Sequence, residues 1–342
     1  MNLRLTGIVI GFCSALTACC WGYAVVAPGV VRSLAATVDA PPFAYLSGIG
    51  SLNEFSKTEN GSSFLLKYGF IDYDSRTHSI FFGIRKEDYW AEKKFFGYNR
   101  EAMNGRIRER LQGYVDDQIE KAGYAQYITC TVNADRSVSW QFDTPPALVS
   151  AITSFRDQLR NSLQALFDYE LRREYRNCGF VLVGDYIVPD YNQLVQRSLP
   201  AVGAAWDALF QAGRGYEERQ RIGLLAAFIQ EMRYEVPPAV INSRSTCGFY
   251  PPLEVLVNGH GDCDSKCAAF AALWRRMTDR PIILISTASH MLVGVGITPM
   301  AGQSACRLGN QTYVLCEVAG PAKNYPGYQQ SVKGNFEYIA IK

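Results

Sequence analysis

Residues 260–274 read HGDCDSKCAAFAALW and place a cysteine at the start of a predicted helix. The alanines and apolar residues after Lys266 favour helix, and their small side chains permit close packing against a sheet. Cys263 then lies at the helix N-terminus, where the macrodipole and the first backbone amides favour a thiolate over a thiol. The stretch therefore indicates a nucleophilic cysteine.

A nucleophilic cysteine needs a base, and the chain contains only three histidines, His78, His260 and His290. His260 is too close in sequence to reach Cys263 easily from a loop that leads into the helix. His78 belongs to a different predicted domain. His290 opens the β-type run 291–295, so we expect His290 to be the general base.

A second β-type run, 312–316, ends at Glu317. If the two runs form an antiparallel hairpin that pairs Gly296 with Gln311, His290 lies opposite Glu317. Directly opposed residues share a face of the sheet, with about 5 Å between their Cβ atoms. A carboxylate there can orient the imidazole, which completes the nucleophile, base and orienting group of cysteine acyl transfer.

These residues resemble the transglutaminase-like superfamily, in particular its prokaryotic members described as cysteine peptidases. The resemblance covers about residues 216–330 and includes the lead-in to the nucleophile. It rests on Gly261-Asp262-Cys263-Asp264, His290 and Glu317, with Phe228-Ile229-Gln230, Tyr234, Tyr250-Pro251, Glu254, Leu256 and Gly259 upstream. It implies a papain-like fold with a nucleophile helix on an antiparallel sheet, and a Cys263, His290, Glu317 triad. We expect no cofactor and no metal ion.

The same residues allow other interpretations. His260, Cys263 and Cys267 could bind zinc together with Asp262 or Asp264. A disulfide from Cys263 to Cys267 would instead make the motif structural. Both aspartates could simply start the helix, which we favour.

Gln230 and Cys267 also have two interpretations each. Gln230 could donate to an oxyanion, although we favour a buried structural amide, with the backbone amide of Cys263 as the oxyanion donor. Cys267 follows Cys263 by one helical turn, and we expect a packed small side chain rather than a second nucleophile.

The N-terminus carries a separate signal, because no charged residue occurs between Arg4 and Arg32. As a helix, Leu5–Ala27 is roughly 34 Å long, enough to cross a bilayer. The stretch Leu16-Thr17-Ala18-Cys19 also looks like a lipoprotein cleavage box. Either interpretation predicts a membrane-anchored protein whose remaining chain is extracytoplasmic, on the periplasmic or cell-surface side.

The rest of the chain divides into segments of different composition. We expect an anchor at 1–32, a linker at 33–62, an α+β domain of unread function at 63–212 and a catalytic domain at 213–342, giving an α+β fold overall. The expected elements of the third segment are strands 63–70 and 78–84, a helix at 101–121, a hairpin of 127–132 with 137–142, a helix at 144–176, a strand at 180–188 and a helix from 190; the catalytic domain opens with a helix at 217–234.

Composition limits the class of partner. The 342 residues are 48% hydrophobic and 19% charged, and 34 basic against 32 acidic residues give a net charge of +2. Without a basic stripe, we expect no nucleic-acid partner. The sequence predicts a cysteine hydrolase acting on a protein or peptide at the cell envelope. The alternatives are a protein-crosslinking transglutaminase with an amine acceptor, or a non-catalytic envelope binding or scaffold protein.

Overall fold

A computed structural model describes residues 34–35, 52, 54–287, 290–320, 323–328 and 335–342, with the backbone alone at 34–35 and 335–336. The helices are α1 (Lys86–Phe95), α2 (Arg100–Lys121), α3 (Val149–Arg176), α4 (Tyr191–Ser198), α5 (Gly203–Ala212), α6 (Glu218–Glu231), α7 (Pro252–Asn258) and α8 (Cys263–Met277). The strands are β1 (Leu34–Ala35), β2 (Glu54–Asn60), β3 (Ser63–Ile71), β4 (Thr77–Arg85), β5 (Ile128–Val132), β6 (Val138–Phe142), β7 (Phe180–Val183), β8 (Tyr186–Pro189), β9 (Arg233–Tyr234), β10 (Val240–Ile241), β11 (Arg244–Ser245), β12 (His260–Gly261), β13 (Ile282–Ser286), β14 (Met291–Val295), β15 (Ala305–Leu308), β16 (Gln311–Cys316) and β17 (Asn335–Ile341).

The described chain separates into two compact units. Among the described residues, the insert unit comprises 98–178, and the core unit comprises those between 34 and 97 together with those between 179 and 342. This division differs from the domain boundary that the sequence indicates near residue 213. The physical reason is that the sheet of β2, β3 and β4 packs on α6, where Tyr68 and Phe70 meet the ring of Phe228 at centroid distances of 5.1 and 5.6 Å.

The insert unit is built from two long helices and a hairpin. Helix α2 buries an apolar residue about once every turn, as the helix predicted at 101–121 requires, and this stripe packs on α3. Strands β5 and β6 pair from Ile128↔Phe142 to Val132↔Val138, which confirms the predicted hairpin. Arg110 forms ion pairs with the buried carboxylates of Glu170 and Glu174, which join α2 to α3.

The core unit contains a six-stranded antiparallel sheet in the order β1-β17-β13-β14-β16-β15. Every residue of β13 and β14 is buried. Helix α8 packs on these two strands, and Ile283, Ile285 and Leu292 form a further buried cluster with residues of β15 and β16. The small residues Ala268, Ala269, Ala271 and Ala272 of α8 are fully buried. The mixed α+β class is therefore confirmed.

Three sequence predictions differ from the structure. Strand β2 lies in the predicted linker; all seven of its residues are exposed, so it has no apolar alternation and is held by pairing with β3. The single strand predicted at 180–188 is a hairpin of β7 and β8 that turns at Gly184, whose φ is +58°. The helix predicted at 217–234 ends at Glu231, and the chain continues into β9.

No helix of the described residues is long and apolar enough to cross a bilayer. The anchor expected at 1–32 lies outside the described residues and stays a prediction.

Candidate active site

The local backbone places Cys263 at the start of α8. Helix α7 ends at Gly259 in the left-handed conformation (φ +69°), and the chain then turns through β12 to Asp262. The Asp262 side chain caps α8 by accepting a hydrogen bond from the Ser265 amide at 3.3 Å. Cys263 is the first helical residue and carries a free, half-buried thiol. Its own amide has no acceptor within the helix and is available to a ligand.

His290 precedes β14 and is held by its neighbour across the turn from β13. Thr287 N–H donates to the His290 carbonyl at 2.8 Å, and the His290 amide donates to Thr287 Oγ1 at 3.0 Å. These bonds fix the backbone of His290, and 35% of its side chain is exposed.

Glu317 follows β16 and contacts His290 directly. Nε2 of His290 lies 2.5 Å from Oε2 of Glu317, while Oε1 accepts a hydrogen bond from the Ala319 amide at 2.7 Å. The second imidazole nitrogen, Nδ1, is therefore the one that remains for the Cys263 thiol, which lies close enough to raise the pKa of His290. The structure brings together the three residues that the sequence singles out.

The register assumed for the two strands is wrong by two residues. Strand β14 pairs with β16 through Val293↔Cys316 and Val295↔Val314, so the pairing of Gly296 with Gln311 does not occur. Strand β15, which comes between β14 and β16 along the chain, pairs with the other edge of β16. A shift of two residues keeps each side chain on its face of the sheet. His290 and Glu317 therefore still meet, just beyond the ends of their strands.

The site favours a protonated His290. Hydrogen bonds to Cys263 and to the Glu317 carboxylate raise the pKa of His290 to about 10, against the opposing effect of burial. At neutral pH the resting site then contains an imidazolium beside the sulfur. An imidazolium next to a helix N-terminus is the setting in which a cysteine becomes a thiolate.

Gln230 positions the segment that carries Glu317. Its Nε2 donates to the Glu317 carbonyl and to the Asn324 carbonyl, the latter at 3.2 Å. Its Oε1 accepts a hydrogen bond from the Tyr73 hydroxyl at 2.8 Å. Both amide protons are engaged and the side chain is 2% exposed, as for a structural amide rather than an oxyanion donor.

The buried side chain of Lys266, on α8, connects two neighbouring segments of the site. Its ammonium group is fully buried and donates to the Met232 carbonyl at 2.5 Å and the Ala319 carbonyl at 2.6 Å. Burial lowers the pKa of Lys266 to about 8, and nearby carboxylates, Glu317 first, oppose that shift. One side chain of α8 thus holds the segments that lead to β9 and away from Glu317.

Tyr234 is a site residue to which the sequence analysis assigns no role. Strand β9 pairs in parallel with β12, so that Tyr234 lies opposite Gly261, two residues before Cys263. Burial, together with the nearby Cys263 and Asp262, raises the pKa of Tyr234 to about 12. In the sequence, Tyr234 is marked only as one of the residues upstream of Cys263 that carry the family resemblance. A parallel bridge of two residues leaves no periodic pattern by which to predict its position.

The other interpretations of the motif can be compared with the structure. Cys267 is buried, its thiol contacts the Met291 carbonyl at 3.4 Å, and burial raises its pKa well above the usual range. Cys263 and Cys267 both carry free thiols. Nδ1 of His260 lies 3.5 Å from Glu235, and burial lowers the pKa of His260. Across the part of the chain that the structure describes, no three His, Cys, Asp or Glu side chains are placed to hold a metal ion.

The two aspartates beside Cys263 have local roles. Asp262 caps the helix, as predicted. Asp264 accepts a hydrogen bond from the Ser265 amide at 2.9 Å and one from the Tyr191 hydroxyl at 3.2 Å. Burial and the Asp262 carboxylate raise the pKa of Asp264 well above its usual range, which limits the negative charge next to the sulfur.

We compared the chain with known proteins. No family model matches the chain, and neither a curated protein nor a solved structure matches it.

Proposed function

We propose that the core unit is a cysteine hydrolase of the transglutaminase-like type, acting through Cys263, His290 and Glu317. One observation carries the proposal. Cys263 begins a helix beside His290, whose Nε2 lies 2.5 Å from the Glu317 carboxylate. This is the arrangement of nucleophile, base and orienting group that acyl transfer requires.

The mechanism follows from where the proton resides. His290 holds the proton in the resting site, so the sulfur attacks a carbonyl carbon as a thiolate, and the carbonyl π pair moves to oxygen. Collapse of the tetrahedral intermediate expels the amine, which takes its proton from Nδ1 of His290, and leaves a thioester on Cys263. The sulfur is then uncharged, and His290, now neutral, can accept a proton from the water that attacks the thioester.

The arrangement of elements supports the finer fold assignment. The nucleophile helix α8 packs on β13 and β14, the histidine enters β14, and the acidic residue leaves the neighbouring strand β16. This is the order and placement that the transglutaminase-like resemblance implies. Glu317 fills the position of the third residue, with both carboxylate oxygens engaged.

The cellular context of the proposal comes from the sequence alone. The uncharged N-terminal segment favours a membrane-anchored, extracytoplasmic enzyme, and the substrate is then a protein or peptide of the cell envelope. Water is the proposed acyl acceptor because the resemblance is to peptidases. An amine acceptor, as in a crosslinking transglutaminase, uses the same thioester.

The proposal is tested by acylating the full chain with p-nitrophenyl acetate. We expect a burst of nitrophenol equal to the protein concentration and an acetyl group on Cys263, identified by mass spectrometry. Cys263→Ala should abolish both, while Cys247→Ala, which removes another half-buried thiol of the core unit, should abolish neither.

The same experiment separates the alternatives. Addition of glycine ethyl ester accelerates deacylation and yields the acetyl amide if an amine is the preferred acceptor, whereas the rate stays that of hydrolysis if water is preferred. A wild-type chain without a Cys263-dependent burst would overturn the enzyme proposal in favour of a scaffold protein.

A further inference from the structure

Lys266 is a buried cation that the acyl-transfer steps leave unused. Its side chain is fully buried, and its ammonium group donates to the Met232 carbonyl at 2.5 Å and to the Ala319 carbonyl at 2.6 Å. With a pKa of about 8, the group is mainly protonated at neutral pH. Taking a charge out of water is costly, and an apolar side chain could fill the same space. What distinguishes Lys266 from an apolar residue is this pair of hydrogen bonds.

A continuous chain of contacts leads from Lys266 to the imidazole. The ammonium group holds the carbonyl of Ala319, and the amide of Ala319 donates to Oε1 of Glu317 at 2.7 Å. The other carboxylate oxygen, Oε2, lies 2.5 Å from Nε2 of His290. Each link is a direct contact, so a displacement of Ala319 changes the direction of the Glu317 carboxylate.

Other contacts hold the main chain on either side of Ala319. Gln230 donates to the Glu317 carbonyl on one side. On the other side, Gly320 packs so closely against Gln230 that an added Cβ would lie 2.6 Å from the Gln230 carbonyl oxygen. These contacts place the backbone of the segment, whereas Lys266 binds Ala319 itself, the residue whose amide contacts the carboxylate.

We propose that Lys266 is a positioning residue of this site: its ammonium group fixes Ala319, and the Ala319 amide in turn keeps the Glu317 carboxylate directed at His290. The inference rests on the proposed acyl-transfer function and adds to it a residue that acts through its neighbours. Lys266 follows Cys263 by three residues on α8. The same helix thus presents the nucleophile and anchors the group that orients its base.

The test measures the pKa of His290 by NMR titration of the histidine rings in the full chain. Lys266→Met removes the ammonium group and keeps an unbranched side chain. We expect the pKa of His290 to fall by about one pH unit in this variant, because the carboxylate is no longer held against the ring. Loss of a positive charge alone acts in the opposite direction and would raise the pKa of a neighbouring imidazole. The direction of the change therefore separates positioning from a simple charge effect.

A double variant shows whether the effect passes through Glu317. Without the carboxylate there is nothing for Lys266 to position, so Lys266→Met in the Glu317→Gln background should cause no further fall. Lys93→Met is the matched control, because it removes another ammonium group of the core unit, one that pairs with Glu254 at 2.7 Å. It should leave the pKa of His290 unchanged.

An unchanged or raised pKa of His290 in Lys266→Met would overturn the inference, and so would an equal fall with and without the Glu317 carboxylate. If the Met variant does not fold, Lys266→Gln takes its place and is judged by the same comparison, since its polar amide ends one atom short of the ammonium position. Failure of the proposed function is distinguishable, because it shows as a wild-type chain without a Cys263-dependent burst, whereas the titration of His290 requires no acylation.

Discussion

Glu92 offers a direct test of how the core unit holds the helix that precedes the nucleophile loop. Its carboxyl group is 5% exposed, and Oε2 accepts a hydrogen bond from the Leu253 amide in the first turn of α7 at 2.9 Å. Oε1 lies 2.5 Å from Ser198 Oγ, which in turn lies 2.8 Å from the Leu194 carbonyl oxygen. The Ser198 hydroxyl donates to the Glu92 carboxyl group and so connects α4 to it.

Burial raises the pKa of Glu92 from 4.5 to about 8, against the opposing effect of the hydrogen bonds from Ser198 and the Leu253 amide. Between these two pH values the folded chain keeps a proton that the unfolded chain has released. Stability therefore falls as the pH rises from 4.5 to 8. At about 1.36 kcal/mol per pKa unit, the loss over this interval amounts to roughly 5 kcal/mol.

Glu92→Gln should remove this loss. The glutamine amide can donate to Ser198 and accept from Leu253, and it has no proton to release. Urea unfolding across the pH range should show the variant close to wild type at pH 4.5 and about 4–5 kcal/mol more stable at pH 8. Glu87→Gln, on the exposed face of the same helix, should track wild type at both pH values. A Glu92→Gln difference that does not change with pH would refute the reasoning.

The other predictions concern the site itself. Replacing Glu317 with Gln removes the carboxylate beside the imidazole, so the pKa of His290 should fall by roughly 1–3 units, measured by NMR of the histidine rings; an unchanged titration would contradict the ion pair. Gly320 has φ +68°, and an added Cβ would lie 2.6 Å from the Gln230 carbonyl oxygen, whereas Gly309 has φ +57° and open space. Both Gly→Ala variants should lose about 1 kcal/mol of stability to backbone strain, but only Gly320→Ala should also slow acylation; equal acylation rates would show that the contact does not position the site.

The nucleophile helix could be predicted because its signals are local. The Asp262 cap, the small residues after Lys266 and the left-handed Gly259 act within a few residues of one another. The β-type runs before and after the loop were visible for the same reason. Their neighbour relation, with His290 and Glu317 at the strand ends, followed from the requirement that antiparallel strands pair.

Features that depend on distant pairing could not be derived. The register of β14 with β16 was missed because the two strands were treated as a simple hairpin, whereas β15 comes between them along the chain and pairs with the other edge of β16. Strand β2 has only exposed side chains, so nothing in its sequence marks it as part of a sheet. Tyr234 lies near the Cys263 segment because β9 pairs in parallel with β12. The paired residues Arg233 and His260 are 27 residues apart in sequence.

The central claim is that Cys263 and His290 form a thiolate and imidazolium pair. The most direct measurement is the rate of iodoacetamide alkylation at Cys263 against pH, read by mass spectrometry, in the wild-type chain and in His290→Ala. We expect the wild-type rate to reach half its maximum well below pH 8.5, the ordinary value for a free thiol, and the substitution to move that midpoint upward. The same midpoint in both proteins, or an inert Cys263, would contradict the account.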